Sequence, residues 1–294
     1  MRHDTPAVRA LLAQKADVNA PQPDGATALM WATRANDTQL VDLLLAAGAN
    51  AQAANREGAT ALLQASENGN AAIIDRLLRA GADVNGALLS TGETALMEAS
   101  RTGKVEALKV LLDHGADVNR KESLRATTAL MWAASEGHTD ALRLLIEHGA
   151  DISARSRQEK SLGYGTAGPA VKIPENLQSG GLTPLVFSVR EGSLGSVKIL
   201  TDAKADVNQT TADGSSPLLV AVLNGRYDIA RYLIGRAANV NLVNQKGLDA
   251  FVPCDQAPHE RDRDCSGAAE CRSGDGFHQT RSGSWRGREH APFV

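Results

Sequence analysis

The side chains best suited to chemistry lie near the C-terminus, where all three cysteines of the chain occur. They are accompanied there by three histidines, so that the candidate ligands are Cys254, Cys265, Cys271, His259, His278 and His290. Zinc favours such ligands, but structural sites normally contain a Cys-x2-Cys pair, and here ten and five residues separate successive cysteines. We therefore predict no metal and no cofactor, and interpret the segment as a tail with reactive thiols.

The other candidate side chains recur at equivalent positions, which argues against a unique active site. His114 and His148 each precede a glycine at a predicted helix C-terminus, where a cationic side chain is favoured. One aspartate recurs in each copy of the same short segment, at Asp83, Asp117, Asp151 and Asp206. No phosphate-binding glycine loop or nucleophile elbow stands in a suitable context. We predict that the protein is not an enzyme.

Composition and charge narrow the possible partners. The formal net charge of -3 gives no clustered positive charge for nucleic acid or a membrane surface. No apolar run reaches the roughly 18 residues of a membrane-spanning helix, and the N-terminus lacks the apolar core of a secretory signal. We therefore expect a cytoplasmic protein, unless a segment upstream of Met1 carries a signal peptide.

The recurring side chains belong to a sequence repeat, and the helices of this repeat must position any functional side chain. Its turn glycines Gly48, Gly81, Gly115 and Gly149 are spaced by 33, 34 and 34 residues. A threonine or serine precedes each first helix as a predicted N-cap, and each turn glycine follows a second helix at the predicted left-handed C′ position. A fixed period in this range is typical of solenoid proteins.

The repeat resembles the ankyrin repeat in two stretches, Gly-x-Thr-Ala/Pro-Leu at its start and Leu-Leu-x-x-Gly-Ala-Asp-Val-Asn at its end. The resemblance covers roughly residues 4 to 250. It implies an all-α ankyrin-repeat solenoid of stacked helix-turn-helix units with projecting β-hairpin-like loops. Six repeats have both helices, and they begin at Gly25, Gly58, Gly92, Ala126, Gly181 and Gly214.

These repeats predict four segments. Residues 1–153 contain a partial repeat and four full ones, 154–180 form an inserted loop, 181–250 continue the repeats, and 251–294 form an irregular, disordered tail. The partial first repeat is either a frayed end or the sign that Met1 is an internal methionine. The tail is either genuine or the product of a reading-frame change.

The insertion has two interpretations. It carries a locally basic set with one aromatic residue: Arg155, Arg157, Lys160, Tyr164 and Lys172. A loop of this length without periodicity is usually functional or disordered. It is therefore either a recognition finger that reaches over the binding groove or a solvated linker.

Family geometry implies a concave binding surface made of loop tips and of the exposed ends of the first helices. The tip positions are Asp24 and Ala26, Glu57 and Ala59, Thr91 and Glu93, Arg125 and Thr127, Gly180 and Leu182, Asp213 and Ser215. The helix-end positions are Arg34, Glu67, Arg101, Ser135, Arg190 and Leu223. Mixed charges there favour a protein partner over a polyanion, bound by a monomer that acts as a scaffold. The alternative is a regulatory or targeting fragment of a larger enzyme or toxin.

Two tryptophans hold the same place in two repeats. Trp31 and Trp132 each stand in a Leu-Met-Trp-Ala sequence. Tryptophan is common at binding hot spots, but here each closely follows a core leucine. This placement favours packing between helices over partner binding.

Overall fold

The computed structural model describes residues 5–160, 178–250, 277–279 and 285–287. Two compact units divide the chain. Unit 1 consists of Met1–Arg157 and Gly181–Ala205, and unit 2 of Gln158–Gly180 and Asp206–Val294. These boundaries differ from the four predicted segments, and each unit is described below by itself.

The described part of unit 1 is a stack of short helices in pairs. A lone helix, α1, spans Thr5–Ala13. The first helices of the following pairs are α2 (Ala28–Arg34), α4 (Ala61–Asn68), α6 (Ala95–Thr102), α8 (Ala129–Glu136) and α10 (Pro184–Glu191). The second helices are α3 (Thr38–Ala46), α5 (Ala71–Arg79), α7 (Val105–Asp113), α9 (Thr139–Glu147) and α11 (Leu194–Asp202). The predicted solenoid of helix pairs is confirmed.

Local signals set the ends of these helices as predicted. The Thr60 hydroxyl accepts a hydrogen bond from Leu63 N at 3.3 Å, and three other first helices begin with the same threonine cap. Thr27 holds that place before α2 without a capping bond. Gly81 and Gly115 follow their second helices with φ of 87° and 85°, in the left-handed region that glycine tolerates best.

The core lies between two layers of helices. Each first helix packs against the first helices of its neighbours, and the second helices form a parallel layer behind them. Ala65 and Ala99 are fully buried, and their small side chains allow the neighbouring helices to approach closely. Leu108 and Leu111 are also fully buried, and burying each leucine stabilises the fold by about 1.5–3 kcal/mol.

Side chains in the segment after each second helix join one repeat to the next. The carboxylate of Asp117 accepts a hydrogen bond from Asn119 N at 3.0 Å, within one segment. The amide of Asn119 then donates to Gly149 O and accepts from Asp151 N in the following segment. Asp83, Asp151 and Asp206 make the same local bond as Asp117. The prediction that these aspartates serve the scaffold is confirmed.

Helix α1 holds the place of a second helix, and no first helix precedes it among the described residues. None of its residues is buried, and the side chain of Leu11 is 53% exposed. The predicted second helix around Leu11 is present, and the incomplete first repeat stays a prediction, since residues 1–4 lie outside the described ranges.

Unit 2 contains one described helix pair, α12 (Pro217–Leu223) and α13 (Tyr227–Gly235). Strands β1 (Gln158–Lys160) and β2 (Gln178–Gly180) pair antiparallel at the two ends of the predicted insertion. Strands β3 (Phe277–Gln279) and β4 (Trp285–Gly287) pair antiparallel within the segment predicted to be irregular. Neither pair of strands was predicted at these positions.

Two sequence predictions fall outside the described residues. Tyr164 and Lys172 lie between β1 and β2 in the undescribed range 161–177, so the choice between recognition finger and linker stays open. The three cysteines lie in the undescribed range 251–276, so the prediction of no metal site there also stays a prediction.

Candidate interaction surface of unit 1

Two positions of every first helix leave their side chains accessible on the same face. These are the fourth and seventh residues of the helix, one turn apart, so their side chains are neighbours. The fourth residues are Trp31, Gln64, Glu98, Trp132 and Phe187. The seventh residues are Arg34, Glu67, Arg101, Ser135 and Arg190. We call these ten residues the face row.

Aromatic residues and arginines meet at both ends of the face row. The guanidinium of Arg34 lies 5.7 Å from the ring centroid of Trp31, and that of Arg190 lies 5.3 Å from the ring of Phe187. At these distances the cation is attracted to the face of the ring. The pairs keep large, partly apolar side chains on an accessible surface.

The middle of the face row is polar and charged. Arg101 forms an ion pair with Glu98, with Nη2 to Oε2 at 2.7 Å. The hydrogen bond that the Arg101 side chain donates to Glu98 raises the pKa of Arg101. Nearby, burial and then the negative charge of Glu98 raise the pKa of Glu93.

The interpretation that both tryptophans pack between helices is wrong for Trp31 and holds only in part for Trp132. Trp31 is 38% exposed and Trp132 is half-buried, whereas the leucines and alanines beside them are buried. In a stack of this kind, a first helix is covered by its own second helix and by two neighbouring repeats. The fourth and seventh positions remain accessible between these contacts, so a large side chain there lies on the surface.

Hydrogen bonds from the loops orient both tryptophans. Trp132 Nε1 donates to Thr127 Oγ1 at 2.8 Å, and that hydroxyl donates to Glu122 Oε1 at 2.9 Å. Trp31 Nε1 donates to Gln22 Oε1 at 3.2 Å. Glu122 and Gln22 hold equivalent places, because the backbone N–H of each closes its loop. Each tryptophan is therefore anchored by an acidic or amide side chain at the base of its own loop.

Glu122 organises the loop that carries it. The residue is 5% exposed, and its carboxylate accepts bonds from Leu124 N at 2.6 Å, Arg125 N at 2.7 Å, and Thr127 N and Oγ1 at 2.9 Å. Burial alone would raise its pKa, but these bonds together outweigh burial and lower the pKa. Glu122 is absent from the predicted site residues, because its loop was expected to be exposed.

The loop tips of unit 1 form a ladder of backbone hydrogen bonds, one between each pair of successive tips. Arg56 N donates to Asp24 O and Leu89 N to Glu57 O, each at 3.0 Å. In the same way, Ser123 N donates to Thr91 O at 2.6 Å and Arg157 N to Arg125 O at 2.5 Å. The ladder holds tip side chains of adjacent repeats next to each other.

The predicted contact residues fall into three groups according to their exposure. Eight are exposed: Asp24, Arg34, Glu57, Glu67, Arg101, Arg125, Arg157 and Arg190. Four are partly buried: Glu93, Ser135, Arg155 and Asp213. Tyr164 lies outside the described residues. Asp213, in unit 2, accepts bonds from Ser215 N and Oγ and from the Thr211 hydroxyl, which stabilise its own loop.

The second position of each tip pair is less accessible than expected. Ala26, Thr127 and Ser215 are buried. Their carbonyl oxygens accept the backbone hydrogen bonds that close the loops, so these residues turn toward the helices. The expectation that they belong to an exposed tip is wrong.

The described residues contain no group of three or more His, Cys, Asp and Glu side chains that could hold a metal ion. Within the same ranges, no helix has the length and apolar character needed to span a membrane. A weakly formed, open depression lies between α1 and α3, lined by Arg9, Gln39, Asp42 and Leu43. It brings together no nucleophile with a base.

Comparisons with a family model and with solved structures indicate the same protein family. A family model described as ankyrin repeats matches three times, over residues 1–87, 85–156 and 167–244, which together exceed half of the chain. A solved structure titled as the human ASB11 ankyrin repeat domain has a TM-score of 0.62 and 24% sequence identity. That likeness covers 78% of this chain and 91% of the other, and it shows the fold.

Curated relatives match over shorter stretches. Protein phosphatase 1 regulatory subunit 27 of Mus musculus is 37% identical over 73 residues, which are 25% of this chain and 47% of that protein. Ankyrin repeat and SAM domain-containing protein 6 of Rattus norvegicus is 36% identical over 78 residues, 26% of this chain and 9% of that protein. The chain therefore spans less than half the length of these relatives.

Proposed function

Because the chain belongs to the ankyrin repeat family, whose repeats generally mediate protein–protein interactions, we propose that it binds a protein partner through the face row of unit 1. The partner lies across the first helices and against the loop tips, and the second helices serve as the support. In this proposal the chain is a non-enzymatic scaffold.

One observation carries this proposal: the accessible positions differ between repeats while their buried neighbours stay nearly the same. The fourth position is Trp31, Gln64 or Glu98 in successive repeats, next to leucines and alanines that recur. A side chain that only stabilised the stack could recur as those neighbours do. Variation confined to one accessible face supports recognition of a specific surface.

The chemistry of the face row suits a folded or extended protein surface. Tryptophan and arginine are enriched among the residues that dominate binding energy. Trp132 is held by the bond to Thr127, so less conformational freedom is lost when a partner covers it. The mixed charges of Arg34, Glu67 and Arg101 provide specificity through complementary pairs.

Affinity capture with the full chain as bait tests the proposal. We expect a partner that is retained by the wild type and by Lys109→Ala, whose exposed side chain lies on α7 in the second-helix layer. The double variant Trp31→Ala, Trp132→Ala should lose the same partner while it keeps its helical circular dichroism. Equal capture by all three baits would contradict a role for the face row.

The remaining predictions concern catalysis, cellular location, oligomeric state and the identity of the partner. The ankyrin fold is typically a non-catalytic interaction module, and we propose the same for this chain. The cytoplasmic location, the monomeric state and the alternative of a regulatory fragment remain predictions. A protein phosphatase is not proposed as the partner, because the likeness to the regulatory subunit covers only 25% of this chain.

A further inference from the structure

The charges along the loop tips of unit 1 change sign from one end of the ladder to the other. The residue whose carbonyl accepts the ladder bond is Asp24, then Glu57, then Thr91, then Arg125. The side chain at this ladder position is thus negative on the first two tips and positive on the fourth, although Arg56 lies beside Glu57 on the second tip. The ladder keeps this order fixed in space.

Five cationic side chains gather at the positive end of the ladder. They come from the fourth tip and from the start of the insertion, and we call them the basic tip cluster: Arg120, Lys121, Arg125, Arg155 and Arg157. One backbone and one side-chain hydrogen bond bring the two segments together, since Arg157 N donates to Arg125 O at 2.5 Å and Lys121 Nζ donates to Arg155 O at 3.4 Å. All except Arg155 are exposed.

The positive charge of the cluster is not matched by ion pairs. None of the five side chains takes part in the ion pairs found among the described residues. The carboxylate within this loop, Glu122, is buried and already accepts four hydrogen bonds. Exposed like charges held side by side raise the local potential and attract an anionic ligand.

Apolar side chains lie among these charges. Leu124 is 55% exposed, between Lys121 and Arg125 in the same loop, and Leu89 on the preceding tip is 78% exposed. A polyanion such as nucleic acid would gain little from the two leucines, and further along the ladder it would meet Glu57 and Asp24. A peptide can combine carboxylates for the arginines with apolar residues for the leucines.

We infer that the basic tip cluster binds an acidic peptide segment that also carries exposed apolar residues. This inference builds on the proposed function, because it names the chemistry of one part of the partner. Carboxylates of the peptide pair with the arginines, which present planar donor groups suited to them. Apolar side chains of the peptide cover Leu124 and Leu89.

Fluorescence anisotropy with the full chain tests this inference. The probe is a short labelled peptide of glutamates with two central leucines. We expect saturable binding that weakens as salt is added, and a loss of roughly tenfold or more in affinity for Arg120→Glu, Arg125→Glu. Neither of these side chains makes one of the hydrogen bonds that hold the loops, and Arg120→Gln, Arg125→Gln provides a milder version of the same test.

Matched controls separate this site from general electrostatics. Lys109→Glu, Arg143→Glu makes the same change in net charge on the second helices and should bind the peptide as the wild type does. A peptide with glutamines in place of glutamates should bind much more weakly. Unchanged affinity of the tip variants, equal loss in the control, or equal binding of the glutamine peptide would overturn the inference.

Two further measurements distinguish a peptide from a nucleic acid as the ligand, and the basic tip cluster from the face row as the binding surface. A single-stranded oligonucleotide of equal charge that bound as tightly as the acidic peptide would also overturn the inference. Trp31→Ala should keep its affinity for the peptide, since Trp31 lies on the face row and is bonded to Gln22 of the first loop, away from the basic tip cluster. Failure of the peptide to bind, together with loss of a captured partner in the tryptophan variant, would reject the inference and leave the proposed function standing.

Discussion

Glu122→Ala is expected to destabilise unit 1 by about 3 kcal/mol, because buried donors left without a partner cost about 1–3 kcal/mol each. The substitution removes four hydrogen bonds at once, and two of them come from Thr127, which is 5% exposed. Water cannot easily replace the carboxylate there. Urea denaturation followed by circular dichroism measures the loss, and Glu57→Ala on an exposed tip serves as the control, expected to stay within about 0.5 kcal/mol.

The charge of Glu122 gives this prediction a pH dependence. The folded-state pKa lies below the ordinary value of 4.5, so the contribution to stability is present above that value and is lost as the pH falls through the folded-state pKa. Glu122→Gln keeps the shape of the side chain without the charge. The difference in unfolding free energy between wild type and Glu122→Gln should therefore shrink on acidification from pH 7. A difference that stayed constant would show that the charge contributes nothing.

Gly103→Ala is expected to lower the free energy of unfolding by about 2–3 kcal/mol. About 1–2 kcal/mol of this loss comes from placing alanine in a left-handed backbone conformation. Gly103 follows α6 with φ of 68°, and an added Cβ would lie 2.6 Å from Cγ of the His138 ring. That ring is held in place, since its Nε2 donates to Arg101 O at 3.0 Å. The remainder of the cost is the displacement of the ring.

Gly115→Ala is the matched control for this effect. Gly115 has φ of 85°, and an added Cβ would meet nothing within 4 Å, so only the backbone cost of about 1–2 kcal/mol applies. Placing Gly103→Ala in a His138→Ala background should bring its cost down to that of Gly115→Ala. If both glycine variants lose the same stability, contact with His138 does not contribute.

Much of the fold could be predicted from the sequence because its signals are local and repeated. The threonine caps and the glycines after the second helices recur at fixed spacing, and each acts within its own turn. Thr60 and Gly81 illustrate this, since both adopt the predicted roles. The second helix α1 followed from the same alignment.

The accessible face was harder to predict because exposure depends on the stacking of neighbouring repeats. Trp132 follows a buried leucine, and its exposure is decided by which sides of α8 the adjacent helices cover. Comparison of equivalent positions within the chain would have located the face, since the fourth residue varies while its neighbours do not. The two tryptophans also occur in the repeats whose loops begin with Gln22 or Glu122, a pairing visible in the sequence.

The basic tip cluster was only half visible in the sequence. Arg155 and Arg157 stood out within the insertion, whereas Arg120 and Lys121 lie more than thirty residues earlier in the chain. The ladder bond between Arg157 and Arg125 brings the two groups together. A contact of this kind arises from the stacking of repeats and has no local signal.

The dissociation constant of the captured partner for single variants of the face row tests the central claim most directly. Isothermal titration with Trp132→Ala should give a loss of about 2 kcal/mol, roughly thirtyfold in affinity, as for a buried hot-spot residue. Lys109→Ala in the second-helix layer should bind as the wild type does. Affinity of Trp132→Ala within twofold of the wild type, together with a clear loss for Lys109→Ala, would place the partner on the opposite face and contradict the account.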